Sequence, residues 1–178
     1  MPREKTPGRL EGKNIKVGMC ACGGVPEAFE LLSALRKEGA DLEIVMTPSA
    51  AKVFSPIMVQ RESNKPVLIE QFELPKVFDD KHNRTKADLF LIAPASADTV
   101  NKAACGIADN LLTTNILAAR CPVAYILRCN PAMYEKPVTK RHIAQMIEDG
   151  AIFLNNEDKP NKYPPINEII DKVVDLLK

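Results

Sequence analysis

Apolar strand-like runs alternate with amphipathic helical stretches over short connections. This predicts an α/β fold, a Rossmann-like three-layer doubly wound parallel sheet in a single domain. Three observations carry the expectation. Strand-like runs recur around Ile15, Val17 and Met19 and at 42–46, 89–93, 123–127 and 151–154. The run at 89–93 is apolar without alternation, as suits a strand covered by helices on both faces. The length, 178 residues, is enough for one domain to bury a core without disulfides or metals to hold it.

The elements follow in order. Residues 1–13 are charged and rich in Pro and Gly, a composition that buries little, so they are expected to be a flexible N-terminal tail before a folded domain at 14–178. From Asn14 a short strand leads into Cys-Ala-Cys-Gly-Gly. The next helix places Phe29, Leu32 and Leu35 on one face, with Pro26 suited to its first turn and Gly39 to its stop. A second strand, 42–46, ends at Thr47-Pro48-Ser49 before a short helix through Phe54. Residues 56–86 are the least regular, with room for a short strand at 66–70. After the strand at 89–93, helices are expected at 100–108 and 110–119, a strand at 123–127, a helix at 137–149 closed by Gly150, a last strand at 151–154 and a last helix at 166–177.

Composition narrows the function classes. Lys and Arg number 24 against 23 Asp and Glu, a net charge of +1, which offers no footprint for nucleic acid or an anionic membrane. A small molecule or a peptide is the expected partner. Five cysteines, an odd number in apolar or small-residue surroundings, and an N-terminus without a secretory pattern point to a reducing, cytoplasmic setting. No apolar run approaches the roughly 20 residues that span a bilayer.

In a doubly wound sheet the ligand crevice lies beyond the carboxyl ends of the strands. That rule selects Cys-Ala-Cys-Gly-Gly, Thr-Pro-Ser, Pro-Ala-Ser-Ala-Asp-Thr and Leu-Arg-Cys-Asn. Helix N-termini there offer unpaired N–H groups and the positive dipole end to an anion, and small side chains let the backbone come close. Ser49, Ser96 and Thr99 add hydroxyls able to donate to a phosphate or to serve as helix caps. The full GxGxxG dinucleotide pattern is absent. From spacing alone the crevice suits a phosphorylated ligand.

The segment PASADTVNKAACGIADNLLTT resembles the PASANT region of the homo-oligomeric flavin-containing cysteine decarboxylases. These include the lantibiotic peptidyl-cysteine decarboxylases and phosphopantothenoylcysteine decarboxylase, with the flavin prenyltransferases as more distant relatives. The resemblance runs from Asn14 to about Gly150 and implies that 14–178 is an FMN-binding domain. It puts the cofactor-binding positions on Cys20, Ala21 and Cys22, on Thr47, Pro48 and Ser49, and on Ser96, Ala97, Asp98 and Thr99. The family's PxMNxxMW substrate motif falls on LRCNPAMY, which implies substrate-binding roles for Asn130 and Met133, with Tyr134 at the aromatic position. It also implies a homo-oligomer, a trimer or a dodecamer built from trimers.

Departures from the family bear on the reaction. Counting back from Pro94 to the position of the decarboxylases' His gives Asp80, with His82 nearby, so Asn130, His82 and Asp80 are the catalytic candidates. The late Cys-Gly motif of phosphopantothenoylcysteine decarboxylases has no counterpart, because no cysteine follows Cys129. Asp98 stands where the central motif usually has Asn, and Arg128 where a small apolar residue or Asn is usual. At about 5 Å and an effective dielectric of about 20, each charge interacts with a flavin charge by roughly 3 kcal/mol, with opposite signs. A carboxylate disfavours the anionic reduced flavin and a guanidinium favours it. Cys20, Cys22, Cys105 and Cys129 match no metal-binding spacing, so no metal is expected.

Two functions follow from the resemblance. One is an FMN-dependent redox enzyme related to the cysteine decarboxylases, acting on a small thiol acid or a peptidyl cysteine. The alternative is a flavin-dependent reductase or electron-transfer flavoprotein without decarboxylase activity, similar to dihydromethanopterin reductases and archaeal flavoproteins, with a redox donor protein as partner.

Overall fold

A computed structural model describes residues 8–71 and 86–178. Five strands form one parallel sheet: β1 (Asn14–Met19), β2 (Asp41–Met46), β3 (Leu89–Ala95), β4 (Val123–Leu127) and β5 (Ile152–Phe153). Their spatial order is β2-β1-β3-β4-β5. The helices are α1 (Val25–Lys37), α2 (Ala50–Val53), α3 (Pro56–Ser63), α4 (Ala97–Ala104), α5 (Leu111–Leu117), α6 (Pro131–Tyr134), α7 (Pro137–Glu148) and α8 (Ile166–Leu176). This is the doubly wound class that the alternation predicts.

Strand periodicity divides the core into two layers. On β3, Leu89, Leu91 and Ala93 face a cluster holding Leu31, Leu32 and Leu35 of α1 and Ile169, Ile170 and Val173 of α8. Phe90 and Ile92 point the other way, into a cluster with Val100 of α4, Leu112 of α5 and Met146 of α7. Gly39, at φ +90, ends α1 in a conformation that L side chains rarely adopt. No helix among the described residues is long and apolar enough to cross a membrane.

Four expectations need correction. Residues 8–13 are packed rather than a free tail. Leu10 is 1% exposed, its N–H donates to the Glu38 carbonyl at 2.8 Å, and Arg9 pairs with Glu38 and Asp171. Within 56–71, taken as irregular, α3 forms behind Pro56 and buries Val59. The strand expected at 66–70 reduces to one parallel bridge between Leu68 and Val45, which covers the outer edge of β2. Finally, α4 starts at Ala97, before the expected residue 100, because the Ser96 hydroxyl already caps it.

Lys16 is a buried charge in β1, only 6% exposed. Its Nζ lies 2.9 Å from Asn115 Oδ1 and 2.9 Å from Glu43 Oε1. Losing this buried cation removes its attraction to Glu43 and its bond to Asn115, at about 3 kcal/mol. We expect Lys16→Met to destabilise the fold by about that much, a urea midpoint lower by about 1–3 M, and a second change, Glu43→Leu, to cost less in that background than in the wild type. Equal midpoints for Lys16→Met and the wild type would show that the pair contributes nothing.

Because all strands run the same way, the turns after β1, β2, β3 and β4 emerge along one edge of the sheet. The strand order reverses between β1 and β3, so the layers separate there and open a crevice.

Candidate functional site

The four turns selected from the sequence line one cleft of about 820 Å³. After β1 it takes Cys20, Ala21, Cys22 and Gly23, and after β2 Thr47, Pro48 and Ser49. After β3 come Ser96, Ala97, Asp98 and Thr99, and after β4 Arg128, Cys129, Asn130 and Met133. Every described candidate is therefore in the same cleft. Asp80 and His82, two of the three catalytic candidates, lie outside the described residues.

Several of the hydroxyls are engaged as helix caps. Ser96 Oγ accepts from the Thr99 N–H at 3.1 Å and donates to Thr99 Oγ1, which also receives the Cys20 thiol at 3.1 Å. Thr47 Oγ1 accepts from the Ala50 N–H at 3.0 Å and so holds the first turn of α2. Ser49 is exposed and makes no cap bond. The Asn130 amide oxygen accepts from the Ala132 N–H at 2.8 Å and caps α6, which leaves its NH₂ group free to donate.

The turn after β1 ends in a glycine that cannot be exchanged cheaply. Gly24 has φ +97, and a Cβ on it would sit 3.4 Å from the Tyr163 ring and 3.6 Å from Arg128 Cγ. It is the N-cap of α1, with no side chain bonded to that helix end. The Arg128 guanidinium packs against Gly23, where a Cβ would be 3.7 Å from its Nε. It makes no ion pair or side-chain hydrogen bond with a described residue.

Asp98 is different. Its carboxylate lies 3.1 Å from Lys102 Nζ, which also binds Asp109 at 2.8 Å. The two carboxylates, Asp109 foremost, hold the Lys102 ammonium in its charged form, and Lys102 holds Asp109 below the usual carboxylate range. Among the described residues the cleft thus has at its rim one lysine shared by two carboxylates, a cluster of net charge −1, and a cation, Arg128, with no ion pair.

The cleft thiols are quiet. Burial pushes Cys20 upward, lifts Cys22 to about 12 against the lowering pull of Arg128, and raises Cys129 as well. All three stay protonated near neutral pH, and no group of three or more His, Cys, Asp or Glu among the described residues is arranged to hold a metal ion.

Sequence reasoning missed Lys102, Asp109 and Asn110, which also line the cleft. Asn110 caps α5 in a reciprocal pair with Thr113. The signal was present: Lys102 stands one helical turn after Asp98, and Asn110 precedes an apolar run in the spacing of a capping box.

Comparison with known proteins gives a family model described as Flavoprotein, which matches residues 3–178. The coenzyme A biosynthesis bifunctional protein CoaBC of Bacillus subtilis (strain 168) is 37% identical over 145 residues, covering 79% of this chain. The match spans 36% of that protein's length. Among solved structures, the FMN-dependent cysteine decarboxylase SpaF superposes with a TM-score of 0.79 at 26% identity, over 94% of this chain and 98% of its own. MrsD from a Bacillus species gives 0.83 at 23% identity, over 95% and 98%, and at that identity it shows a shared fold.

Proposed function

Because the chain belongs to the Flavoprotein family, we propose that its cleft binds FMN and that it is an FMN-dependent enzyme related to the cysteine decarboxylases, acting on a small thiol acid or a peptidyl cysteine. The convergence of four strand-end turns on one cleft of about 820 Å³ carries this reading, a size suited to a nucleotide-sized cofactor. The residues fit such a group. Ala21, Gly23 and Ala97 give the cleft wall small side chains, the N-terminus of α1 just after that turn has no side-chain cap, and Arg128 supplies a positive charge without an ion pair to a described residue. When bound, FMN supplies two-electron redox chemistry. Asn130 and Met133 contact the substrate, with the Asn130 NH₂ as donor, while His82 and Asp80 remain the candidates for moving a proton.

The charge balance favours a second reading. Asp98 and Arg128 were expected to pull a flavin in opposite directions, but Asp98 is held by Lys102, which it shares with Asp109, whereas no described residue pairs with Arg128. An uncompensated guanidinium stabilises an anionic reduced flavin, which suits a reductase or electron-transfer protein fed by a redox donor protein. Exposed apolar side chains at Val53, Ile57, Met58 and Met133 support assembly of several copies, a trimer or dodecamer. Five free cysteines support a cytoplasmic setting.

Purified protein should be yellow and release FMN on acid treatment, identified by absorbance and mass. Release of carbon dioxide from thiol-acid or cysteinyl-peptide substrates supports the lyase. Anaerobic bleaching by ferredoxin or a pyridine nucleotide without carbon dioxide release supports the reductase. A colourless protein that takes up no flavin overturns both.

A further inference from the structure

Outside the cleft, at the far end of α4, four side chains from two helices form a chain of contacts that the proposed flavin chemistry does not use. Cys105, exposed at the C-terminal cap of α4, has its Sγ 3.7 Å from His142 Nε2 on α7. The other ring nitrogen, His142 Nδ1, lies 2.8 Å from Asn101 Oδ1. The Asn101 amide NH₂ in turn donates to the Thr139 hydroxyl at 3.4 Å, and Thr139 is 2% exposed.

The arrangement sets the direction in which a proton can move. With its NH₂ on Thr139, Asn101 turns its carbonyl oxygen to His142, and that oxygen only accepts, so Nδ1 carries the hydrogen. Nε2 is then the lone-pair nitrogen and it faces the thiol. A nucleophile, a base in contact with it and a third group that orients the base are the parts of an activated nucleophile. Cys105 also sits at the negative end of a helix dipole, which opposes a thiolate, so its activation has to come from the imidazole. The cleft thiols have different surroundings: Cys20 and Cys129 are buried and Cys22 half-buried, and no imidazole hydrogen-bonds to them among the described residues.

We propose that Cys105 is a reactive thiol and the chain's site of covalent modification by low-molecular-weight disulfides, with His142 as its base. An exposed sulfur outside the cleft lacks walls to orient a large acyl substrate. A small soluble disulfide needs only access along its S–S axis. In the exchange, Cys105 Sγ attacks one sulfur of R–S–S–R, a new S–S bond forms and the old one breaks. The Cys105 proton passes to His142 Nε2 and then to the departing thiolate, which leaves as RSH. Cys105 is oxidised to a mixed disulfide as the departing sulfur is reduced.

The test uses the full chain and oxidised glutathione near neutral pH, with adducts located by peptide mass mapping. The first adduct should fall on Cys105, ahead of Cys22 and Cys121, and Cys105→Ser should remove it. His142→Gln should slow the reaction at Cys105 by about a hundredfold, the lower end of what a positioned base contributes. Cys105 in the native protein should also outpace Cys105 in the urea-unfolded chain, a comparison that needs no variant. A first adduct on another cysteine, an undiminished rate in a folded His142→Gln protein, or faster reaction after unfolding would each overturn the proposal.

Discussion

Arg128→Ala should weaken FMN binding about a hundredfold, measured by titrating flavin fluorescence into protein stripped of cofactor. The guanidinium lies against Gly23 in the cleft wall and has no counter-charge among the described residues. An ion of opposite sign about 5 Å away, at an effective dielectric of about 20, contributes roughly 3 kcal/mol, and each 1.4 kcal/mol or so is tenfold in affinity. Arg128→Lys keeps the charge and should keep most of the affinity. Equal losses in both variants would make the role one of shape. Undiminished affinity in the alanine variant would take Arg128 out of the cofactor site. The same alanine variant should hold its flavin at a lower reduction potential, because a charge that favours the reduced anion has gone.

Asn130→Asp should reduce turnover of a thiol-acid substrate about a hundredfold with flavin still bound, the loss expected when one positioned donor is removed from a reacting centre. Aspartate keeps the oxygen that accepts the Ala132 N–H, so α6 stays capped. It lacks the NH₂ group and adds a negative charge where a carboxylate substrate would approach. Asn130→Ala loses both donor and cap, and comparing the two separates chemistry from local folding. Full activity in the aspartate variant would rule out a donor role for Asn130.

How far the sequence could be read follows from which features are local. The turns after the strands were legible because a parallel sheet puts every carboxyl end on one edge, so four short segments were singled out before any geometry was known. Their partners were harder to see. Ser96 fits two roles on sequence, ligand donor or helix cap, and its hydroxyl caps α4, while the Thr47 hydroxyl, at a position the resemblance assigns to the cofactor, holds the first turn of α2. Whether such a hydroxyl turns inward to the backbone or outward to a ligand is decided by a rotamer. Lys102 escaped notice because an i,i+4 pair with Asp98 looks like ordinary helix decoration until Asp109 arrives from the next loop. Leu10 was lost in a charged context because one apolar side chain carries no period. Likewise α3, with Pro56 at its start and Arg61 and Glu62 near its end, has too little apolar pattern to announce itself.

The bridge from Leu68 onto β2 has a wider meaning. Sheets join other sheets through unpaired rims, and this one offers little rim at either side. Among the described residues, Leu68 pairs with the outer rim of β2 at Val45, and β5 at the opposite rim is two residues long. Both rims are thus shortened as templates for strand addition, which disfavours fibre-like growth. Helix side chains and loops are then the favoured surfaces for assembly, where single substitutions tune an interface without disturbing the sheet that positions the cleft.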